Sequence, residues 1–317
     1  MFSLNRNRGR QIDDAIQGYI GLQEFETQRQ YEGILREWVE VLGPVPFHKA
    51  TEIHAMKWAK IVASKPGIRG QVSKSTVKRK AGMLKKLYSV LQESQLVTRN
   101  PFRGVLAQFA SAQVGDKRPT QILPFSEVER FLTTPSGDTP DGVTDRAYFA
   151  LLFGCGLRVG EVSKLNLDDV IIGGATGLLV RLRGTKNGRD AEQLVPEEMV
   201  QYVIKLVTQR SGEGASPGDP LIVLHRADRS AVNKTVATRQ LHRIFQRWCK
   251  ILGIRGRFSP HSARATAITY LLEQGVPHRV VRVFSRHSSV LMVERYDKLR
   301  DKGLEEAINL IQYKKRA

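Results

Sequence analysis

Ser259-Pro260-His261-Ser262-Ala263-Arg264, Ser285-Arg286-His287-Ser288-Ser289 and Glu294-Arg295-Tyr296-Asp297 follow one another in the C-terminal third of the chain. Ser259 can N-cap a helix and Pro260 can open it, so His261 and Arg264 fall one turn apart on one face, within reach of a single phosphate. Gly275, followed by Pro277, is expected to stop that helix. Arg264 shares a side with Ile268 and Leu271, which places its guanidinium over an apolar surface where it needs an anion. Ser288 and Ser289 predict the cap of a further short helix, Val290 to Lys298, with Tyr296 on its second turn. Two imidazoles, a guanidinium and a phenol suit the holding of a phosphodiester and its attack by a tyrosine oxygen, without a metal. A His-x-x-Arg pair also arises by chance in an arginine-rich chain, and a lone helical Tyr is commonly a boundary residue with one wet end. The rest of the sequence has to decide.

The composition points to a polyanion. Lys and Arg number 50 against 31 Asp and Glu, for a net charge of +19. Residues 1–121 hold 20 basic and 10 acidic residues. Both halves are therefore basic, which indicates nucleic acid rather than a membrane met by one basic helix. No apolar run is long enough to span a bilayer, no signal core follows Met1, and a cytoplasmic protein associated with the nucleoid when bound to DNA is expected. Cys155 and Cys249 both lie in apolar helical patterns, so buried thiols are expected, with no disulfide, metal site or cofactor.

The N-terminal third reads as helices. Ile12, Ile16, Tyr19 and Ile20 recur at helical spacing, and Thr27 is expected to cap a second helix carrying Tyr31, Ile34, Leu35, Trp38 and Leu42. A third runs from about Thr51 to Ser64. In the fourth, Ser75 to about Ser94, the stripe Val77, Ala81, Leu84, Leu87, Tyr88 and Leu91 is flanked by Lys74, Lys78, Arg79, Lys80, Lys85 and Lys86. No acid offsets them before Glu93. A solvated face normally mixes both signs, so this one is expected to track phosphates, with Lys74, Lys78, Arg79 and Lys85 as contacts. Residues 1–105 form a helical DNA-binding domain in this reading. Residues 106–121 form a linker able to pass around a duplex, and 122–317 form a second domain.

In that second domain, helices are expected from Phe125 to Leu132, from Thr144 as cap to Phe153, over 197–210, and from Thr235 to Leu252. Gly154-Cys155-Gly156 makes a tight turn before Arg158, and Glu161 lies one turn on, able to orient it. The one clear sheet signal is a hairpin, Leu178–Leu182 with Gln193–Val195, about an Asn187-Gly188 turn with Lys186 at its tip. Leu304, Ile308 and Ile311 stripe a terminal helix.

With Arg158, Lys186, His261, Arg264, His287 and Tyr296 in that order, the chain resembles the tyrosine recombinases, or phage integrase family, in particular Xer-like or transposon-borne integrases and resolvases. Gly156-Leu157-Arg158-Val159-Gly160-Glu161-Val162-Ser163-Lys164-Leu165 looks like the family's first box, and the nine positions from His287 to Tyr296 match its usual separation. The resemblance implies a mainly α fold with a small antiparallel β-sheet. A helical core-binding domain and a mixed α/β catalytic domain would form a clamp around DNA.

The resemblance also implies roles. Tyr296 would be the nucleophile leaving a 3′-phosphotyrosyl link, and Arg158 and Arg264 would bind the non-bridging oxygens. His261 would move the tyrosine proton, Lys186 would protonate the leaving 5′-oxygen, His287 would hydrogen-bond the phosphate, and Glu161 would support Arg158. Family members act as four protomers on synapsed double-stranded DNA with short inverted sites, through a Holliday junction, and the C-terminal helix suits exchange between protomers. A separate arm-binding domain is expected to be absent. Where the family's second box usually reads His-x-Leu-Arg-His, this chain has Ala263 and Ala265. Arg286 replaces the glycine usual before the second His and is expected to add a DNA contact. The alternatives are a non-cutting DNA-binding regulator on the same scaffold and a type IB topoisomerase.

Overall fold

The computed structural model describes residues 2–67, 70–105, 120–173, 177–184 and 190–297. These fall into two compact units, Met1–Arg118 and Pro119–Ala317. The turn carrying Lys186 and the terminal stripe Leu304, Ile308 and Ile311 lie outside the described residues. None of the described helices is long and apolar enough to cross a membrane.

The first unit is built on α1 (Phe2–Gly21), α2 (Phe25–Leu42), α3 (Glu52–Ser64) and α4 (Lys74–Glu93), with a two-residue antiparallel ladder between β1 (Pro66–Gly67) and β2 (Gly70–Gln71). Helix α2 begins at Phe25 after Glu24, not at the expected Thr27 cap, and the Tyr19 and Tyr31 hydroxyls meet at 3.0 Å across the turn between α1 and α2. Trp38, Trp58, Tyr88 and Phe102 form the core, with Trp38 and Phe102 ring centroids 4.8 Å apart and edge-on. Trp38 Nε1 donates to the Tyr88 hydroxyl at 3.1 Å, which satisfies the one polar atom that ring would otherwise bury. The apolar stripe expected for α4 is the buried one, residue for residue. Ser73 caps the helix, accepting from Thr76 N at 3.2 Å.

In the second unit, α5 (Phe125–Thr133) leads to α6 (Pro140–Phe153), the central helix, whose residues from Gly142 to Phe153 are buried except Arg146. Thr139 caps α6, accepting from Gly142 N at 3.2 Å, and Pro140 takes the first helical position. The expected cap, Thr144, lies inside the helix with its hydroxyl donating to Pro140 O at 2.9 Å. A Thr-Pro pair, the stronger start signal, stands one turn earlier. After α7 (Val159–Val162), the strands β3 (Val170–Gly173), β4 (Gly177–Leu182) and β5 (Ala191–Leu194) form an antiparallel sheet in that order. Strand β3 was not expected from the sequence: only four residues long and half-buried, it carries no complete alternation of its own.

Helix α8 (Glu197–Gly212) packs along α6, and the short pair β6 (Leu224–His225) with β7 (Ala231–Val232) follows. Helices α9 (Thr238–Ile251), α10 (Pro260–Glu273) and α11 (His278–Ser285) complete the described α-helices. Phe131, Phe149, Phe153, Phe245 and Trp248 interlock α5, α6 and α9. Trp248 Nε1 and Arg247 both donate to Asp145, at 2.6 and 2.7 Å, so this carboxylate within the core has two partners.

Candidate active site

The site is assembled from the start of α7, the first turns of α10, and the segment after α11. Gly156 adopts φ +58 between α6 and α7, a conformation that favours glycine, and a Cβ there would come 2.8 Å from the Phe284 ring. The next-but-one residue, Arg158, is the N-cap of α7 and Glu161 stands at N3. The Glu161 carboxylate closes the turn from both sides: Oε2 accepts from Arg158 N at 2.7 Å and Oε1 pairs with the Arg158 guanidinium at 2.7 Å. Arg158 keeps a third of its side chain open to solvent, whereas Glu161 is 12% exposed. The expected orienting role of Glu161 thus has a geometric basis.

Helix α10 begins as the sequence implies, with Ser259 N donating to Ser262 Oγ at 3.1 Å and Pro260 in the first turn. Gly275 follows its end with φ +76. Ala263 and Ala265 are fully buried, so small side chains let this helix sit close against its neighbours. Arg264 is 1% exposed. Its two terminal nitrogens donate to the carbonyls of Gly156 and Ser285, and its Nε is buried without a partner among the described residues. Burial, then repulsion from Arg158 and Arg286, lower its pKa to about 9, so it stays charged at neutral pH. Ile268 and Leu272, rather than Leu271, complete the buried face below it.

His287 is 8% exposed, hydrogen-bonded through Nδ1 to Ser285 Oγ at 2.9 Å, and stacked on the Tyr296 ring at 5.8 Å with the planes 15° apart. Burial first, then Arg264 and Arg158, depress its pKa to about 4, which leaves it neutral near pH 7. His261 is solvent-exposed as a residue, yet desolvation of its ring, followed by the charges of Arg264 and Arg158, also holds its pKa below the ordinary value. The depressed imidazoles and the lowered Arg264 report one setting, burial first and the crowding of positive charge second. Where the guanidiniums of Arg158, Arg264 and Arg286 converge, Glu161 is the carboxylate that acts on them. An anion is what such a site takes.

Tyr296 is half-buried against the cluster of Ile268, Leu272, Val281 and Val293. It does not ride on the continuous helix expected from Val290 to Lys298. Val290–Met292 and Glu294–Tyr296 are two single 3-10 turns, closed by Val293 N to Val290 O at 2.7 Å and Tyr296 N to Val293 O at 2.8 Å. So short a segment cannot hold an α-helix by propensity, and the fully buried Val293 fixes the path instead. Thr269 Oγ1 donates to Tyr296 O at 3.4 Å, and the His278 ring meets the Asp297 carboxylate at 2.9 Å, pinning the segment at the tyrosine and at the residue that follows it.

Arg158, Glu161, His261, Arg264, His287 and Tyr296 are therefore brought together, while Lys186 lies outside the described residues. Arg286 departs from expectation. Its side chain is 11% exposed and its Nη2 pairs with Glu161 Oε2 at 2.9 Å, with Nη1 on Gln193 Oε1, so the guanidinium is turned inward rather than offered to DNA. Of the proposed contacts on α4, Lys74 and Arg79 are exposed and Lys78 and Lys85 half-exposed. A second basic face escaped the sequence reading: Arg239, Arg243, Arg247 and Lys250 on α9, opposite Leu241, Ile244, Phe245 and Trp248. The signal was present as cations at helical spacing with no acid among them.

Residues 121–302 match the model of the phage integrase family. Among curated relatives, the chain is 28% identical over 232 residues to tyrosine recombinase XerC of Thermodesulfovibrio yellowstonii, covering 71% of each protein. It is 25% identical over 283 residues to XerC of Vibrio atlanticus, covering 89% of this chain and 86% of that one. Similar solved structures include the Tn1549 transposon integrase in complex with transposon right end DNA (TM-score 0.70, 20% identity, 95% of this chain and 99% of that chain). Another is the XerH site-specific recombinase bound to difH substrate (TM-score 0.65, 14% identity, 90% and 80%). With the family model matching more than half of the chain over the unit that holds the arginines, histidines and tyrosine described above, this chain belongs to the phage integrase family, the tyrosine recombinases.

Proposed function

We propose that this protein is a site-specific DNA recombinase that cuts and rejoins strands through Tyr296. The observation that carries the reading is the convergence of Arg158, Arg264, His261 and His287 on Tyr296 in a place short of negative charge. The Tyr296 Oη attacks the scissile phosphorus, forming a 3′-phosphotyrosyl bond as the bond from phosphorus to the 5′-oxygen breaks. His261, whose pKa desolvation and then Arg264 and Arg158 hold below the ordinary value, accepts the phenolic proton. Arg158 and Arg264 offset the charge that grows on the non-bridging oxygens, and neutral His287 donates a hydrogen bond there. Lys186 delivers a proton to the departing 5′-oxygen. Attack of a 5′-hydroxyl from a partner duplex reverses these steps and transfers the strand. The diester energy is kept in the covalent link, so the exchange needs no ATP.

The partner in this reading is double-stranded DNA with short inverted sites, met by the basic faces of α4 and α9. Four protomers on two synapsed duplexes would exchange strands through a Holliday junction, with the C-terminal stripe Leu304, Ile308 and Ile311 joining neighbours.

The test uses a nicked duplex built on the inverted site that the protein selects from a random-sequence pool. A covalent adduct is expected, and Tyr296→Phe abolishes it; an adduct surviving in the variant removes Tyr296 as the nucleophile. Arg158→Ala should lower cleavage by about a hundredfold or more with a much smaller loss of binding. Recombination between two sites on one plasmid, rather than relaxation alone, separates this reading from a topoisomerase.

A further inference from the structure

Arg286 lies among the site residues but takes no part in the proposed reaction. It follows the last turn of α11 with φ 53 and ψ 37, the left-handed conformation that glycine adopts more readily. The contacts of its side chain show what it holds. Nη2 pairs with Glu161 Oε2 at 2.9 Å, on the same carboxylate that fixes the Arg158 backbone and guanidinium. Nη1 donates to Gln193 Oε1 and, at 3.1 Å, to Phe284 O. The Arg286 carbonyl in turn accepts a long bond of 3.4 Å from Arg158 Nη2.

Gln193 stands on β5, opposite Val180 of β4, and is 9% exposed. The β4–β5 hairpin is the one whose connection includes Lys186. A single inward-facing guanidinium thus ties together the turn of Arg158 and Glu161, the strand that follows Lys186, and the backbone next to His287. Burial pushes the Glu161 carboxyl up, but Arg286 and then Arg158 more than reverse this, so the carboxylate is held charged between the two.

We propose that Arg286 is a positioning residue for DNA cleavage: through Glu161 it aims the Arg158 guanidinium, and through Gln193 it anchors the β4–β5 hairpin. The inference rests on the reading that this site cleaves DNA. It places Arg286 behind the residues that touch phosphate, where it acts on the rate of cleavage more than on affinity.

The experiment compares the parent with Arg286→Gly, Arg286→Lys and Gln193→Met on the nicked duplex at saturating protein, alongside DNA affinity. Arg286→Gly relaxes the backbone and removes the guanidinium, and is expected to slow cleavage roughly ten- to a hundredfold, with affinity changed less than about threefold. Arg286→Lys, which keeps a charge for Glu161, recovers part of the rate. Gln193→Met slows cleavage by a smaller factor, and adding it to Arg286→Gly costs nothing further, since both break one network. Parental rates in a folded Arg286→Gly protein, or losses that multiply in the double variant, would overturn the proposal. A thermal-unfolding cycle of Arg286→Gly with Glu161→Gln needs no activity. Strong coupling supports the network and additive losses refute it, whereas a parent that forms no adduct refutes the DNA-cleaving reading alone.

Discussion

His287 shows how a single side chain reports its burial and then the charge around it. Its pKa in the fold, about 4, lies below the value near 6.5 expected of the unfolded chain. Between those values the unfolded chain binds the proton and the folded chain does not, so the stabilisation is complete above about pH 6.5 and is lost as pH falls toward 4. Asp145 has the opposite sign, because burial raises its pKa to about 6 and the folded state gains protons there. The comparison that isolates His287 is therefore parent against His287→Gln. The parent is expected to lose roughly 1–3 kcal/mol relative to the variant between pH 7 and pH 5, read from denaturant unfolding at each pH. A constant difference across that range would show that His287 is not held neutral. An anion bound among Arg158, Arg264 and His287 would oppose the same depression, so melting on acidification should be milder with the DNA duplex present.

At the scale of elements, the site depends on connections rather than on long helices. Gly156 makes the bend that lets its own carbonyl receive Arg264 while Phe284 packs against its α-carbon. Gly156→Ala should cost about 1–3 kcal/mol, measured by thermal or denaturant unfolding, and should depress cleavage more than DNA binding because Arg264 loses its seat. An unchanged melting curve would mean the bend tolerates a side chain. The regular elements were legible where apolar spacing is strong: the α4 stripe, the start of α10 at Ser259-Pro260, and its end before Gly275. The Tyr296 segment was not. Ser288 and Ser289 look like a helix cap, but neither outcome is favoured locally over so few residues, and burial of Val293 selects two 3-10 turns. Arg286 was misread for a similar reason: in sequence it is one more cation, and only packing reveals that it faces Glu161 and Gln193.

Over the whole molecule the dominant quantity is the net charge of +19. Binding of a duplex should weaken steeply with salt as counterions are released. Lys78→Ala is expected to lower the slope of log affinity against log salt by about one, read by fluorescence anisotropy at several salt concentrations. Lys80→Ala should change the slope less, since its ammonium already pairs with Glu37 at 2.8 Å. Equal effects of the two would mean that α4 does not track the backbone. The sequence by itself determined the helical patterning, the basic character, and which residue types the fold gathers beside Tyr296, because residue type and helical periodicity are local properties written in the order of the chain. Tertiary structure decided that Arg264 is buried against the carbonyls of Gly156 and Ser285, that His287 lies flat on Tyr296, and that Arg286 faces Glu161. Those outcomes depend on which distant segments share a core, and the desolvation and charge crowding that set pKa values and ion pairs exist only once the core has closed.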